Sequence, residues 1–267
     1  EYLQDSSLTF DKSKSFRSFE ISMLWRGKIN NENTNTIIIL HWWWWSSQSW
    51  LSVWEILFSR WYNVIIPDLP WFWKTKLNKV HDLDEYATIV EEFIKDLGLD
   101  NIILWWHSNW WAIAIKIANR NKIKISRLVL NNSAWIRNDK KRGDKRKVLT
   151  ILVKIFKPLK KVPGFNYIRT IFYRFIWWQD YLASENNPYM KQTYLNMIKS
   201  DLQDIVPDIS QNTLLIWWEK DTYTPLSDGL LIRKMIKNSK MIVLENEKHW
   251  IHITSPEKLV NTFLNNI

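Results

Sequence analysis

Residues Leu104-Trp105-Trp106-His107-Ser108-Asn109-Trp110-Trp111-Ala112 join two apolar runs through a serine. The run before the serine, residues 101–104 (NIIL), predicts a short buried strand, and residues 112–118 (AIAIKIA) predict a buried helix after it. A serine between such a strand and such a helix lies on a sharp turn. The pattern is typical of a nucleophile elbow, in which the hydroxyl leaves the sheet edge and the next N–H points at the reacting oxygen. Ser108 is therefore our candidate nucleophile.

The positions two residues before and two residues after this serine do not fit an elbow as they stand. Glycine is normally required at both, because any side chain there collides with the neighbouring strand or helix. This chain has Trp106 and Trp110 instead. Either the turn is not an elbow or these tryptophans stand where the gene specifies glycine.

Composition favours the second explanation. The chain has 20 Trp and only 5 Gly among its 267 residues, whereas glycine usually makes up about 7% of a protein. The surplus tryptophan falls where turns favour glycine, at 41–46 (HWWWWS), 70–74 (PWFWK), Trp61 and Trp250. The abundance of Ile, Asn and Lys indicates an A+T-rich gene. We hypothesise that UGA codons, which some bacterial lineages read as glycine, were translated as tryptophan.

Glycine at the suspect positions restores the loop motifs HGWGGS at 41–46, PGFGK at 70–74, GHSNGG at 106–111 and GEKD at 218–221. Trp43, Trp50 and Trp54 fit their surroundings as tryptophan. We use the term glycine-restored chain for the sequence with glycine at positions 42, 44, 45, 61, 71, 73, 106, 110, 111, 218 and 250. Tryptophan found at 106 and 110 by mass spectrometry of the native protein would contradict the hypothesis.

Length and composition predict a globular protein. A chain of 267 residues with 46% hydrophobic content can bury the core of one α/β domain with an insertion. No apolar run reaches the roughly 18 residues of a membrane span, and the N-terminal residues do not resemble a signal peptide. We expect a cytoplasmic protein of undetermined oligomeric state. The absence of cysteine excludes disulfides and thiolate metal sites.

The net charge of +10 comes from one segment. Residues 137–174 hold 13 Lys and Arg against 2 Asp, a net of +11, so the remainder carries −1. This distribution argues against nucleic acid as a partner of the whole chain. Large apolar residues alternate with the cations in 148–157 and 168–175. They predict either a solvated helical face or peripheral contact with an anionic membrane.

Strands alternate with helices along most of the chain. We predict strands at 36–40, 64–67, 102–104, 127–131, 212–217 and 240–244, with helices at 47–59 and 84–97 between the first three. The alternating residues 16–23 are predicted to form edge strands. This order favours an α/β fold with a doubly wound, mostly parallel sheet.

The alternation stops after the fourth parallel strand. Between 135 and 208 no convincing strand pattern occurs, and helical patterns such as 148–156 and 167–176 replace it. We therefore predict a core in two parts, 1–134 and 209–267, with a helical cap at 135–208. Because it follows a strand end, this cap would cover the edge of the sheet where open α/β sheets bind ligands.

Five motifs in this order resemble those of the α/β-hydrolase fold family. They are 41–45 (HWWWW), 67–73 (PDLPWFW), 106–111 (WHSNWW), 218–221 (WEKD) and His249-Trp250. The likeness spans about residues 20–267 and is greatest to the capped branch, which contains esterases, carbon–carbon bond hydrolases and prolyl aminopeptidases. The chain departs from the family in having tryptophan at many of the family's glycine positions.

A serine hydroxyl needs a base, and the base needs a group that orients it. His249 follows the last predicted strand by a short loop that returns it to the edge where Ser108 lies, so it is the predicted base, with His252 as the alternative. Asp221, just past the fifth strand, is the predicted acid, and the order serine, acid, histidine matches this fold.

Several alternatives remain open at this stage. Glu219 and Asp228 could replace Asp221 as the acid, and His249 with His252 could form a metal pair, although no acidic or thiolate set surrounds them. We predict no cofactor and no metal.

Two backbone N–H groups would form the oxyanion hole, one from Asn109 and one from Trp43. Losing one such donor typically costs about 3 kcal/mol of barrier. Asp68, in a loop flanked by proline, is interpreted as a structural turn residue.

The predicted reaction is hydrolysis of a small or lipid-like carboxylic ester through an acyl-enzyme. Cleavage of vinylogous diketones and aminopeptidase action are the alternatives within the family. A serine nucleophile argues against haloalkane and epoxide hydrolysis, for which this family uses aspartate. A non-catalytic ligand receptor on the same fold is the alternative from another class.

Overall fold

A computed structural model describes residues 14–16, 19–21, 23–25, 36–41, 46–69, 79–108, 111–133, 187–200, 202–222 and 224–267 of the chain. The strands are β1 (Lys14–Phe16), β2 (Phe19–Ile21), β3 (Met23–Leu24), β4 (Thr36–Leu40), β5 (Asn63–Pro67), β6 (Ile102–His107), β7 (Ile125–Asn131), β8 (Thr213–Trp218) and β9 (Ser239–Leu244). The helices are α1 (Leu51–Ser59), α2 (Leu83–Asp96), α3 (Trp111–Arg120), α4 (Pro188–Lys199), α5 (Leu226–Met235), α6 (Ile251–Thr254) and α7 (Pro256–Leu264). Short 3₁₀ turns lie at Ser47–Trp50 and Val206–Asp208.

Seven strands form one sheet in the order β3-β5-β4-β6-β7-β8-β9. Only β3 is antiparallel to its neighbour β5, and the remaining pairs are parallel. β1 and β2 form a separate antiparallel pair. Crossovers through helices produce this arrangement, because parallel neighbours need a connection that returns the chain to the same edge. The predicted doubly wound, mostly parallel sheet is confirmed.

The central strands are buried on both faces, as their continuous apolar sequences predict. In β4, Ile38 and Leu40 belong to one hydrophobic cluster, to which α2 and α3 contribute. Ile37 and Ile39 belong to a second cluster, to which α1 and α7 contribute. Helices therefore cover both faces of the sheet and leave its carboxyl edge for the site.

The strands predicted within residues 16–23 belong to two different sheets. Residues 19–21 form β2 of the small sheet, whereas residues 23–24 form β3 at the edge of the large sheet. Apolar residues recur at Phe19, Ile21 and Met23 across the boundary between β2 and β3, so period two alone could not show that the run divides between two sheets.

The predicted cap lies largely outside the described residues, as do its helical patterns at 148–156 and 167–176 and the basic segment 137–174. Within 135–208 the structure describes residues 187–200, which contain α4, and residues 202–208. Asn187 caps α4 by accepting hydrogen bonds from the N–H groups of Tyr189 and Met190. In the described part of the chain, no helix has the length and apolarity that crossing a bilayer requires.

Candidate active site

The three predicted site residues follow three strands of the parallel sheet. Ser108 comes directly after β6, Asp221 is three residues past β8, and His249 is five residues past β9. All three strands run in the same direction, so their carboxyl ends lie at one edge. The folding of the sheet therefore brings together residues that are more than a hundred positions apart in sequence.

Ser108 has the backbone conformation of a sharp turn. Its φ is 69°, in the left-handed region, which costs a residue other than glycine about 1 kcal/mol. Strain of this kind persists only where the surrounding structure imposes it. Here the buried β6 ends at His107 and α3 begins at Trp111, so the chain must reverse within three residues.

The three side chains form a continuous line of hydrogen bonds. The Ser108 Oγ lies 2.8 Å from Nε2 of His249, and Nδ1 of His249 lies 2.6 Å from Oδ2 of Asp221. Because an ionised carboxylate only accepts, Nδ1 carries the proton and Nε2 has the lone pair that faces the serine. All three residues are at least 95% buried, so few water molecules compete for these contacts.

Further donors surround Asp221. The Thr224 N–H donates to Oδ1 at 3.0 Å and its hydroxyl donates to Oδ2 at 2.8 Å, while the side-chain amide of Asn132 also donates to Oδ2. Burial alone would raise the pKa of Asp221, but the hydrogen bond and charge of His249, with the Thr224 donors, hold this pKa below its ordinary value. Asp221 is thus kept as a carboxylate.

Asn132 and Thr224 were not among the residues predicted from the sequence. Asn132 follows β7, and its side-chain oxygen accepts the Trp218 N–H at 2.8 Å while its amide group reaches Asp221. The sequence contains signals for both. A polar Asn131-Asn132 pair ends an apolar strand, and Thr224 stands three residues after Asp221, close enough in sequence for a local hydrogen bond to the aspartate side chain.

Replacement of Asn132 by leucine is expected to lower kcat about tenfold with little change in KM. The substitution removes one donor from Asp221, the carboxylate predicted to orient His249, and hydrogen bonds to charged groups are worth about 1.5–3 kcal/mol. Steady-state kinetics on a p-nitrophenyl ester measure the effect. Thr224→Ser, which retains both donors to Asp221, is the matched control. An unchanged kcat in the Asn132 variant would contradict the prediction.

The alternatives for the acid lie elsewhere. Glu219 accepts the Asn246 N–H at 3.1 Å, and Asp228 lies in the first turn of α5. The predicted oxyanion donors, Trp43 and Asn109, lie outside the described residues, so their role stays a prediction.

Asp68, interpreted from the sequence as a turn residue, also contacts residues that are distant in sequence. Its carboxylate accepts the Ser47 N–H at 2.7 Å and the Ser47 hydroxyl at 3.3 Å, across 21 residues of sequence. Nε2 of His41 lies 3.7 Å from Oδ1 of the same carboxylate. The Leu69 N–H donates to Nε2 of His41 at 3.4 Å, so Asp68 and Leu69 together join the loop after β5 to the residues that flank 42–45, the segment that contains Trp43.

His252, the alternative base, has a different environment from His249. Its ring stacks on Trp50 with centroids 4.7 Å apart and lies 4.8 Å from the ring of His107. Burial, followed by the proximity of His249, lowers the pKa of His252 to about 3. No cluster of three His, Cys, Asp or Glu side chains suited to a metal ion occurs among the residues that the structure describes.

The buried His252 predicts a loss of stability in acid. Its pKa of about 3 in the folded state lies below that of an unfolded histidine, so between these values only the unfolded chain binds the proton. The free energy of unfolding should therefore fall as the pH falls from 6 to 4, and His252 should contribute about 1.4 kcal/mol per pH unit. Urea unfolding of the glycine-restored chain at pH 6, 5 and 4 measures this slope.

His252→Phe retains a ring on Trp50 but removes the titrating group, so the slope should decrease by the His252 contribution. Gln211→Met is the control, because it removes a buried hydrogen bond to the Ala118 carbonyl without removing a titrating group and should lower stability equally at each pH. A His252→Phe slope equal to that of the parent would refute this account.

Comparisons with known proteins bear on the fold. No protein-family model and no curated protein sequence matches the chain. Among solved structures, an esterase from Exiguobacterium antarcticum aligns with a TM-score of 0.70 at 19% identity, over 95% of this chain and 97% of the esterase. A thermophilic esterase from Thermogutta terrifontis aligns with a TM-score of 0.68 at 17% identity, over 95% of each chain.

A third structure, an α/β hydrolase from the sediment metagenome of the Mar Chica lagoon in Morocco, has a TM-score of 0.64 at 17% identity and covers 96% of this chain and 97% of its own. At such low identity these alignments concern the path of the backbone. Together with the strand order and the serine on its left-handed turn, they show that the chain has the α/β-hydrolase fold.

Proposed function

We propose that this chain is a serine hydrolase that cleaves carboxylic esters, with Ser108 as nucleophile, His249 as base and Asp221 as the residue that orients the base. The observation that carries the proposal is the hydrogen-bonded line from Ser108 Oγ through the His249 ring to Asp221, with distances of 2.8 and 2.6 Å. A serine, an imidazole and a carboxylate in this geometry supply what acyl transfer needs.

In the first half of the reaction, Nε2 of His249 takes the proton of Ser108 as Oγ attacks the ester carbonyl carbon. The tetrahedral intermediate collapses when the carbon–oxygen bond to the leaving group breaks, and His249 gives its proton to the departing alcohol. Asp221 stabilises the imidazolium that exists between these two steps. The backbone N–H groups of Asn109 and Trp43 are the proposed donors to the oxyanion.

In the second half, water takes the place of the alcohol. His249 removes a proton from the water as its oxygen attacks the acyl-enzyme, and then returns the proton to Ser108 Oγ as the acid leaves. Atoms and charge balance over the cycle, so the described side chains account for the reaction without a further reactant.

The ester remains the preferred substrate for three reasons. Two of the structures with this fold are named as esterases, and an alkoxide leaving group needs less assistance than an amine. Nothing in the described part of the site forms an acidic cluster that would hold a peptide amine.

The same proposal includes contact between the basic segment 137–174 and an anionic membrane, which would suit a lipid-like ester as the substrate.

A fluorophosphonate probe tests the proposal directly. The glycine-restored chain should be labelled at one residue, identified as Ser108 by peptide mass spectrometry, and Ser108→Ala should not be labelled. Ser133→Ala is the matched control, because Ser133 is another fully buried serine at the end of the neighbouring strand. A folded protein that is neither labelled nor active on p-nitrophenyl esters would instead favour a ligand receptor.

A further inference from the structure

His107 is the neighbour of Ser108 and the last residue of β6, but the reaction above gives it no role. Its side chain is fully buried. Its Nε2 lies 3.2 Å from the backbone carbonyl oxygen of His249. Because a carbonyl oxygen can only accept, His107 carries its proton on Nε2 and donates it to the main chain of His249.

This hydrogen bond joins two parts of the site that the sheet holds far apart. β6 and β9 are separated by β7 and β8, which at about 4.8 Å per strand places them about 14 Å apart. The loop that carries His249 is joined to the Asp221 loop by two backbone hydrogen bonds, from Glu219 N–H to the Leu244 carbonyl and from Lys220 N–H to the Glu247 carbonyl, each 3.1 Å. Acid and base are therefore held together independently of the serine.

Two described hydrogen bonds connect the end of β6 to His249. The bond from Ser108 Oγ to Nε2 breaks and forms again in each catalytic cycle, because its proton moves. The bond from His107 to the His249 carbonyl takes no part in proton transfer. It can therefore hold the base at a constant distance from the nucleophile while the first bond is broken.

The ring of His107 is itself held in place. It lies edge-on to Trp50, with centroids 5.6 Å apart, and its centroid is 4.8 Å from that of His252 and 5.0 Å from that of His249. Burial, and then the positive charge that His252 or His249 would carry, lowers the pKa of His107 well below its usual range. His107 therefore stays neutral, with a fixed donor, when His249 takes up the serine proton.

We propose that His107 is a positioning residue that fixes the main chain of His249 so that its Nε2 stays aligned with Ser108 Oγ. The proposal rests on the proposed function, since it concerns the same serine and base. The proposal predicts that full kcat requires a hydrogen-bond donor at the position of His107 Nε2, and does not require the imidazole ring itself.

Three substitutions of His107 in the glycine-restored chain separate these possibilities. Glutamine can place an amide N–H near the position of Nε2, whereas asparagine carries the same amide on a side chain too short to reach the carbonyl. Leucine fills the space without a donor. We expect His107→Gln to retain kcat within a few-fold, and the other two variants to lose about tenfold to hundredfold in kcat with KM unchanged, as small misplacements of reacting groups do.

The rate of fluorophosphonate labelling should fall by the same factor, because it depends on the same alignment of serine and base. Thermal midpoints separate positioning from folding, and the asparagine–glutamine pair keeps the comparison valid if the leucine variant does not fold. His252→Phe is the control, because it removes an imidazole from the same group of rings and should leave kcat near that of the parent.

The outcomes are distinct. Failure of the parent chain to label would overturn the proposed function itself. If the parent labels and the leucine and asparagine variants label as fast as the parent, His107 has no positioning role. Equal losses in His107→Gln and His107→Asn, or in His252→Phe and His107→Leu, would assign the effect to ring packing and also overturn the proposal.

Discussion

The glycine-restored chain is expected to fold and to hydrolyse p-nitrophenyl esters, whereas the chain with tryptophan at the same positions is expected to misfold or to be inactive. Trp106 is fully buried between the sheet and its helices, and Ser108 has no exposed surface. Two indoles in place of glycine on either side of Ser108 add far more volume than the few methylene groups that cost about 1–3 kcal/mol in a packed core. Glycine at these positions would also give a substrate room to reach the hydroxyl.

Hydrogen bonding of the indole N–H groups partly separates the tryptophans at predicted glycine positions from the other tryptophans. Trp54 donates to the Val64 carbonyl at 3.0 Å and Trp217 donates to the Thr224 carbonyl at 2.9 Å, and no motif marks either as glycine. The buried indole nitrogens of Trp106 and Trp218 have no hydrogen-bond partner among the described residues, which costs about 1–3 kcal/mol for each. Trp105 also lacks such a partner, so this feature supports the assignment only where a glycine motif coincides with it.

Backbone conformation gives a separate indication at Trp61. Its φ is 67° and 87% of its surface is exposed, so a large aromatic residue occupies a left-handed turn and gains little from packing. Gly98, at the corresponding position after α2, has the same φ of 67°. Glycine adopts this conformation without steric cost, so glycine at position 61 of the glycine-restored chain would give an unstrained turn between α1 and β5.

Parallel expression of the two genes measures the effect, with soluble yield, thermal midpoint and ester turnover as readouts. Trp54→Gly in the glycine-restored chain is the matched control, since Trp54 makes a described hydrogen bond and its loss should lower the thermal midpoint. Equal activity from both genes would refute the hypothesis that glycine belongs at these positions, and so would tryptophan at 106 and 110 in the native protein.

Much of the architecture could be predicted because local patterns determine it. The run Thr36–Leu40 is buried on both faces as its sequence indicates. The position of His249 in the loop after the last strand was likewise sufficient to predict that its side chain lies near Ser108. β6 extends to His107, three residues beyond its predicted end at 104, because Trp105, Trp106 and His107 obscured the boundary between the strand and the turn.

Contacts between distant loops could not be predicted in the same way. Asn132 reaches Asp221 across 89 residues, and His107 reaches the His249 main chain across 142. No local spacing encodes either contact, because each depends on the order in which the strands assemble. The division of residues 19–24 between two sheets has the same cause.

Ser108→Ala and His249→Ala are each expected to remove nearly all ester turnover of the glycine-restored chain, by about 10⁴-fold to 10⁶-fold in kcat. In the proposed mechanism Ser108 supplies the oxygen that forms the new bond and His249 accepts its proton, so neither residue can act without the other. The double variant should therefore be no worse than either single variant. Residual turnover above the rate in water would come from binding and from the oxyanion donors.

Asp221→Asn is expected to be milder and to lower stability as well. An amide oxygen can remain beside His249 Nδ1 only if the new NH₂ group faces the Thr224 N–H, which is also a donor. The opposite orientation places the NH₂ group against Nδ1 and forces the proton of His249 onto Nε2, where it can no longer accept from Ser108. We expect kcat to fall by about a hundredfold to ten-thousandfold, depending on which of these two amide orientations predominates.

Kinetics of the three single variants and the double variant test this order of effects, and Ser133→Ala serves as the control for loss of a buried serine hydroxyl.

The assignment of the base depends on one further comparison. His252→Ala should reduce kcat far less than His249→Ala, because the His249 ring lies 2.8 Å from Oγ of Ser108, the proposed nucleophile, whereas the His252 ring stacks on Trp50. Equal losses in these two variants would show that the base has been assigned to the wrong histidine.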